Sequence, residues 1–224
     1  MTGKSRVKAK PPEFSVETVS RTPQQGRSKA SLERMLGAAR ALMVERGSED
    51  FTLLEVSKRG NVSIGSIYLR FESKDNLVRA VIADTMEELA RAEDGMFAKL
   101  ERSCSSLAEF VPGFVHAYAG VLSEHATLLR LAMTRAEHDP QVAEPGKRAA
   151  LRAVHMARDA MLHYADQFGG TDRNVRAEAA YYVVFATLAR QLSLGSSRES
   201  VTDYDWEQLK HELGRMCLAY LTAP

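Results

Sequence analysis

Residues 51–77 read FTLLEVSKRGNVSIGSIYLRFESKDNL, and the fold turns on this stretch. Thr52 is placed to cap a helix, and Glu55, three residues on, completes a capping box. Phe51 before the cap and Val56 at the fourth helical position suit a hydrophobic staple. Ser63 repeats the arrangement, with Val62 before it and Ile67 at the staple position. Between the two starts, Gly60-Asn61 supplies a stop, because Asn tolerates the left-handed backbone that ends many helices. The spacing predicts a helix of about two turns, a sharp turn and a second short helix. Two short helices locked at an angle leave one helix face free to enter a DNA major groove.

Thr52-x-x-Glu55-Val56-Ser57, Val62-Ser63-x-Gly65-x-Ile67-Tyr68-x-x-Phe71 and Ser73-Lys74-Asp75-x-Leu77 together resemble the TetR family of bacterial transcriptional regulators. With the helix before it, the matching block covers residues 31–80. The sequence departs from the family at Ser57, where Ala is usual, and at Gly60-Asn61, where Ala-Gly is usual; both changes keep small or turn-tolerant residues. The resemblance implies an all-α fold, with an N-terminal three-helix helix-turn-helix domain followed by a larger helical ligand-binding and dimerisation domain. It also implies phosphate contacts through Thr52, Ser63, Tyr68 and Lys74. Physical chemistry agrees, since hydroxyls, helix N-terminal amides and a lysine are phosphate ligands. Lys74 opposes the dipole of its own helix, which favours a functional reason for its place.

The second helix of the motif begins at Ser63. Ile67 and Phe71, four apart, are expected to face the core with Val56 and Val62. Ile64, Gly65, Ser66, Leu69 and Arg70 are then expected on the reading face. Gly65 has no side chain to hold the backbone off DNA. Ile64 and Leu69 are apolar and Ser66 is short, so readout is weighted toward thymine methyl groups and DNA shape. Arg70 is the one residue there able to make a bidentate bond to guanine, a phosphate being its alternative partner.

Charge is unevenly spread. Residues 1–79 carry 15 Lys and Arg against 9 Asp and Glu, and residues 80–224 carry 15 against 20. A basic N-terminal part on an acidic remainder suits one DNA-binding end and a second end with another task. Residues 1–28, rich in Lys, Arg, Pro, Ser, Thr and Gln, read as a disordered basic arm able to follow phosphates or enter a minor groove. The DNA-binding domain is expected over 29–76 and the effector-binding and dimerisation domain over 77–224. Cys104 and Cys217 lie far apart without metal-ligand spacing, as in a reducing cytosol. The early lysines lead into Pro11-Pro12 and not into an apolar run, and Ala179–Ala189 is shorter than the roughly 20 residues a bilayer needs. A cytoplasmic protein without membrane contact is expected.

Apolar periodicity predicts a first helix over 31–46, a long helix capped by Ser73, and helices near 106–123, 125–136, 142–168, 172–195 and 204–222. Glu124-His125, Asp139-Pro140, Gly169-Gly170 and Gly195-Ser196-Ser197 separate them. Trp206, Leu209, Leu213, Met216, Cys217 and Tyr220 form one stripe at three-and-four spacing, and Ala179–Ala189 is apolar nearly all round. The resemblance makes these two helices a homodimer interface, a four-helix bundle between subunits. It also implies a pocket for a small hydrophobic effector in the middle helices, which carry Phe97, Phe110, Phe114, Tyr118, Met133, Met156, Met161, Tyr164 and Phe168. Such a stripe is equally what a core requires. His116, His155 and His163 are candidate polar groups for a ligand, or surface histidines.

No metalloprotease His-Glu-x-x-His, phosphate-binding Gly-rich loop or Gly-x-Ser-x-Gly occurs, so neither an enzyme nor a cofactor is expected. The sequence reading is a repressor bound to an inverted-repeat operator of double-stranded DNA and released by an effector. The alternative is an effector-independent architectural dimer, for which a middle region packed without a cavity would speak.

Overall fold

Helix is the regular secondary structure of the described residues, which are 14–20, 26–194 and 205–224 of a computed structural model. The elements are α1 (Val16–Val19), α2 (Gly26–Arg46), α3 (Leu53–Gly60), α4 (Ile64–Arg70), α5 (Lys74–Ser103), α6 (Leu107–Ala136), α7 (Pro140–Leu162), α8 (Arg173–Gln191) and α9 (Trp206–Thr222), with a 3-10 turn at Ala165–Gln167. The chain divides into two compact units, Met1–Leu42 with Asp50–Asp84, and Met43–Glu49 with Thr85–Pro224.

The first unit is built by its caps. The Thr52 hydroxyl accepts from the Glu55 amide at 3.2 Å, and the Glu55 carboxylate accepts from the Thr52 amide at 2.7 Å. Asn61 stops α3 in the left-handed region at φ 48°. Ser63 then caps α4, accepting from the Ser66 amide at 3.1 Å. Ser57, where the sequence departs from the family, donates its hydroxyl to the Val62 carbonyl at 2.6 Å and so fastens the turn from inside. Met35, Ala39, Phe51, Val56, Ile67, Phe71, Leu77 and Val81 are buried and make the unit's core. Arg40 of α2 pairs with Asp84 of α5 at 2.6 Å.

In the second unit α6 packs against α7, α8 and α9, and α8 also packs against α7 and α9. Phe110, Phe114 and Tyr118 stack along one face of α6, their neighbouring centroids 6.2 and 5.4 Å apart, and Phe97 of α5 stacks on Phe114. Pro112 forgoes one helical hydrogen bond. Opposite it stands Gly214 of α9, where a Cβ would lie 3.1 Å from Pro112 Cα, so the two helices touch backbone to ring. Arg135, buried at the end of α6, holds Asp139 at 2.9 Å and Glu49 at 2.5 Å. At the start of α9, the Lys210 ammonium pairs with Glu207 and lies 5.7 Å from the Trp206 ring centroid.

Several boundaries differ from the sequence reading. Helix α2 begins at Gly26, five residues early, because Lys29 and Ala30 sustain a helix without adding to an apolar stripe. The segments 106–123 and 125–136 are one helix: Glu124 and His125 are polar but not breakers, and the His125 ring nitrogen lies 3.0 Å from the Val121 carbonyl. Asp139-Pro140, expected as a separator, is the cap and first residue of α7. That helix stops at Leu162, and the chain after it is pinned by Tyr164 donating to the Cys104 carbonyl and by Gln167 accepting from the Leu107 amide. Helix α8 ends at Gln191, since Arg130 takes the Leu192 and Ser193 carbonyls and Ser193 turns left-handed. Of the expected arm, Val16–Val19 forms one capped helical turn. Residues 1–13 and 21–25, and the expected Gly195-Ser196-Ser197 turn, lie outside the described residues.

Gly60 shows how tightly α3 lies on α2. A Cβ there would sit 2.9 Å from the Arg34 carbonyl oxygen and 3.3 Å from Ala38 Cβ. Gly60→Ala is expected to destabilise the chain by roughly 1–3 kcal/mol, because backbone must move to admit one methyl group. Urea denaturation of the two proteins checks this.

Candidate DNA interface and effector cavity

The caps that start α4 also decide which of its residues face outward. Ile64, Gly65, Tyr68 and Leu69 are exposed, Leu69 most of all at 73%. Ser63 is exposed and Ser66 half-buried, their hydroxyls 2.7 Å apart. Arg70 corrects the sequence reading: only 8% exposed, it is not on the outer face. Three residues after the fully buried Ile67, it falls on the inward flank of a 3.6-residue period. Thr52 is exposed, its hydroxyl engaged with Glu55. Lys74 is half-buried, and its ammonium stands 4.8 Å from the centroid of the Phe51 ring. An ammonium held over an aromatic face has less freedom to lose on meeting a phosphate than one swinging in solvent.

The second unit holds a partly open cavity of about 540 Å³. Its apolar wall includes Met86 and Leu89 of α5, Leu122 and Met133 of α6, Val154 of α7 and Phe185 of α8. Two tyrosines in the wall, Tyr118 and Tyr181, join hydroxyls at 2.9 Å. Beside them is Glu93, 5% exposed. Burial pushes its carboxyl up to about 7, against the opposing pull of the Arg152 guanidinium 3.2 Å away. Arg152 also pairs with Asp94. Desolvation raises both phenols as well, Tyr181 to about 12 and Tyr118 well above its ordinary value.

Residues 35–81 match the model of the tetR family of bacterial regulatory proteins. The matched stretch runs from within α2, through α3 and α4, into the start of α5. Solved structures of transcriptional regulators share the helical fold over most of the chain. A TetR-family transcriptional regulator from Mesorhizobium loti superposes with a TM-score of 0.66 at 18% identity, over 88% of this chain and 96% of that one. A transcriptional regulator from Cytophaga hutchinsonii gives 0.64 at 17% identity, over 87% and 100%. One from Saccharomonospora viridis, solved with choline, gives 0.64 at 16% identity, over 84% and 95%. At these identities the likeness concerns the fold. No curated protein matches the chain in sequence.

Within this TetR-type fold, the sequence-based pocket residues divide. Tyr118 and Met133 line the cavity, whereas Phe97, Phe110, Phe114, Met161, Tyr164 and Phe168 are buried in the core. His155 and His163 are exposed, and His116 pairs with Glu207 at 3.5 Å; none of the three lines the cavity. Glu93, Arg152, Tyr181 and Phe185 were missed. The signal for Glu93 was legible: it holds the register of Leu89, Phe97 and Leu100, a carboxylate on an apolar stripe.

Between about 4.5 and about 7 the folded chain keeps a proton on Glu93 that the unfolded chain releases. The contribution of this group to stability is therefore complete below about 4.5 and is lost as pH rises through about 7. Glu93→Gln is expected to exceed the parent in stability at pH 8 by on the order of 1–3 kcal/mol, the gap closing toward pH 5. Thermal melts across that range read it.

Proposed function

We propose that this chain is a sequence-specific transcriptional regulator, a repressor that leaves a palindromic operator when a small molecule fills the cavity of its C-terminal domain. The observation that carries the reading is the pairing of an outward, capped helix-turn-helix with an apolar cavity of about 540 Å³ in one chain. An architectural dimer has no need of such a cavity, and cavities of this size and lining commonly hold ligands. The choline found in the Saccharomonospora viridis regulator supports a small-molecule occupant for this fold. Residues 29–76 would bind DNA and 77–224 would bind effector and dimerise. TetR-type regulators are generally not enzymes, and the setting would be cytoplasmic; no helix among the described residues is long and apolar enough to cross a membrane.

In this reading Thr52, Ser63, Tyr68 and Lys74 hold phosphates while Ile64, Gly65, Ser66 and Leu69 meet base edges. Arg70 takes no part. Helices α8 and α9 each keep an outward apolar face, Val175, Tyr182 and Val183 on one, Met216 and Tyr220 on the other, while Val184, Leu213 and Cys217 turn inward. Exposed apolar faces on adjacent helices suit a two-fold interface with a second copy.

Selection of bound DNA from a random library tests the whole reading, and an inverted repeat is the expected product. Ile64→Ala is expected to relax discrimination at one base pair per half-site by roughly 1 kcal/mol. Lys74→Ala should weaken all sequences alike and flatten the salt slope. A sequence-selective loss with Lys74→Ala would remove it from the phosphate contacts. Val183→Glu with Met216→Glu should convert a dimer to a monomer by light scattering and abolish operator binding at the same protein concentration.

A further inference from the structure

We propose that the cavity takes an organic cation, an ammonium head on an apolar body, with Glu93 as its counter-ion. The inference rests on the effector reading of the same cavity and names the chemistry of the occupant. Glu93 is the one charged residue of the lining that is buried; Glu137, Lys147 and Arg152 are exposed or half-buried, and Lys147 pairs with Glu144 at 2.8 Å. Burying a carboxylate in an apolar wall is costly, and a hydrocarbon ligand would have no use for it. Its single hydrogen bond is from Arg152 to Oε2. Among the described residues no fully buried side-chain oxygen lacks a partner, so the unbonded Oε1 is not wholly buried, and Glu93 itself lines the cavity.

An anionic ligand fits this lining poorly. The Arg152 guanidinium is already shared between Glu93 and Asp94, so a carboxylate would have to take it from them while approaching Glu93. A cation finds a carboxylate oxygen ready. It also finds aromatic rings: Tyr181 lies 5.8 Å from Tyr118 and is stacked 6.2 Å from Phe185, and all three line the cavity. The negative faces of such rings attract an ammonium head, quaternary heads included. The remaining wall, chiefly Met86, Leu89, Leu122 and Val154, suits an alkyl or aryl body.

The groups facing Glu93 are Arg152 from α7, Asp94 from its own helix, and Tyr118 and Tyr181 from α6 and α8. The two phenols titrate well above neutrality. A quaternary ammonium does not titrate at all, so its affinity should follow the ionisation of Glu93. For a group near 7, the ionised fraction changes roughly tenfold between pH 6 and pH 8.

Calorimetric titration of the full chain with octyltrimethylammonium, octanoate and octanol decides the matter. The ammonium is expected to bind at least about tenfold more tightly than either competitor at pH 8, and to weaken roughly tenfold by pH 6. In Glu93→Gln, with folding checked by thermal melt, both the preference and the pH slope should vanish while octanol binds as before. Where that variant does not fold, the pH slope of the parent protein still decides. If octanol or octanoate binds as tightly as the ammonium, the cation assignment is wrong and the effector cavity stands. If none of the three binds, the assignment and the effector reading fall together.

Discussion

The stacking of Phe110, Phe114 and Tyr118 along α6 is the interaction on which the larger unit depends. Helices α7, α8 and α9 each pack on α6, and the aromatic row continues through Tyr181 to Phe185 of α8. The row has two characters. At Phe110 and Phe114 it is fully buried and closed by Phe97 and Tyr164. From Tyr118 onward it opens on the cavity, and the polar groups begin there. One run of rings thus serves as core at one end and as binding wall at the other, and close packing at the first fixes the geometry of the second.

The helix-turn-helix was legible because its determinants are local. Thr52, Glu55, Asn61 and Ser63 act on backbone within a few residues of themselves, and each does in the structure what its chemistry dictates. Arg70 was misplaced because a seven-residue helix has a narrow inward face, and a guanidinium gives no apolar signal of its own burial. The cavity was legible only in part. Its walls come from four helices far apart in sequence, and nothing in a one-dimensional pattern separates a ring that fills the core from a ring that borders a void. The break expected at Glu124-His125 failed for a related reason: polarity marks an exposed turn of helix as readily as a loop.

Glu93 and Arg152 link α5 to α7 through the same carboxylate that borders the cavity. A ligand engaging that carboxylate would compete with a link between two helices as well as fill space. Since α5 begins in the first unit and ends in the second, an event at Glu93 bears on a helix common to both. The buried Arg135 ties the α6–α7 corner to Glu49, a contact within the second unit.

Trp206 is the chain's single tryptophan, half-buried at the first turn of α9 with the Lys210 ammonium near its ring. Ultraviolet emission at the tryptophan band therefore comes from one place, a helix whose outer side carries Met216 and Tyr220 and whose inner side meets α6. The protein has an intrinsic optical probe at that seam, with no label to attach and no second indole to deconvolute.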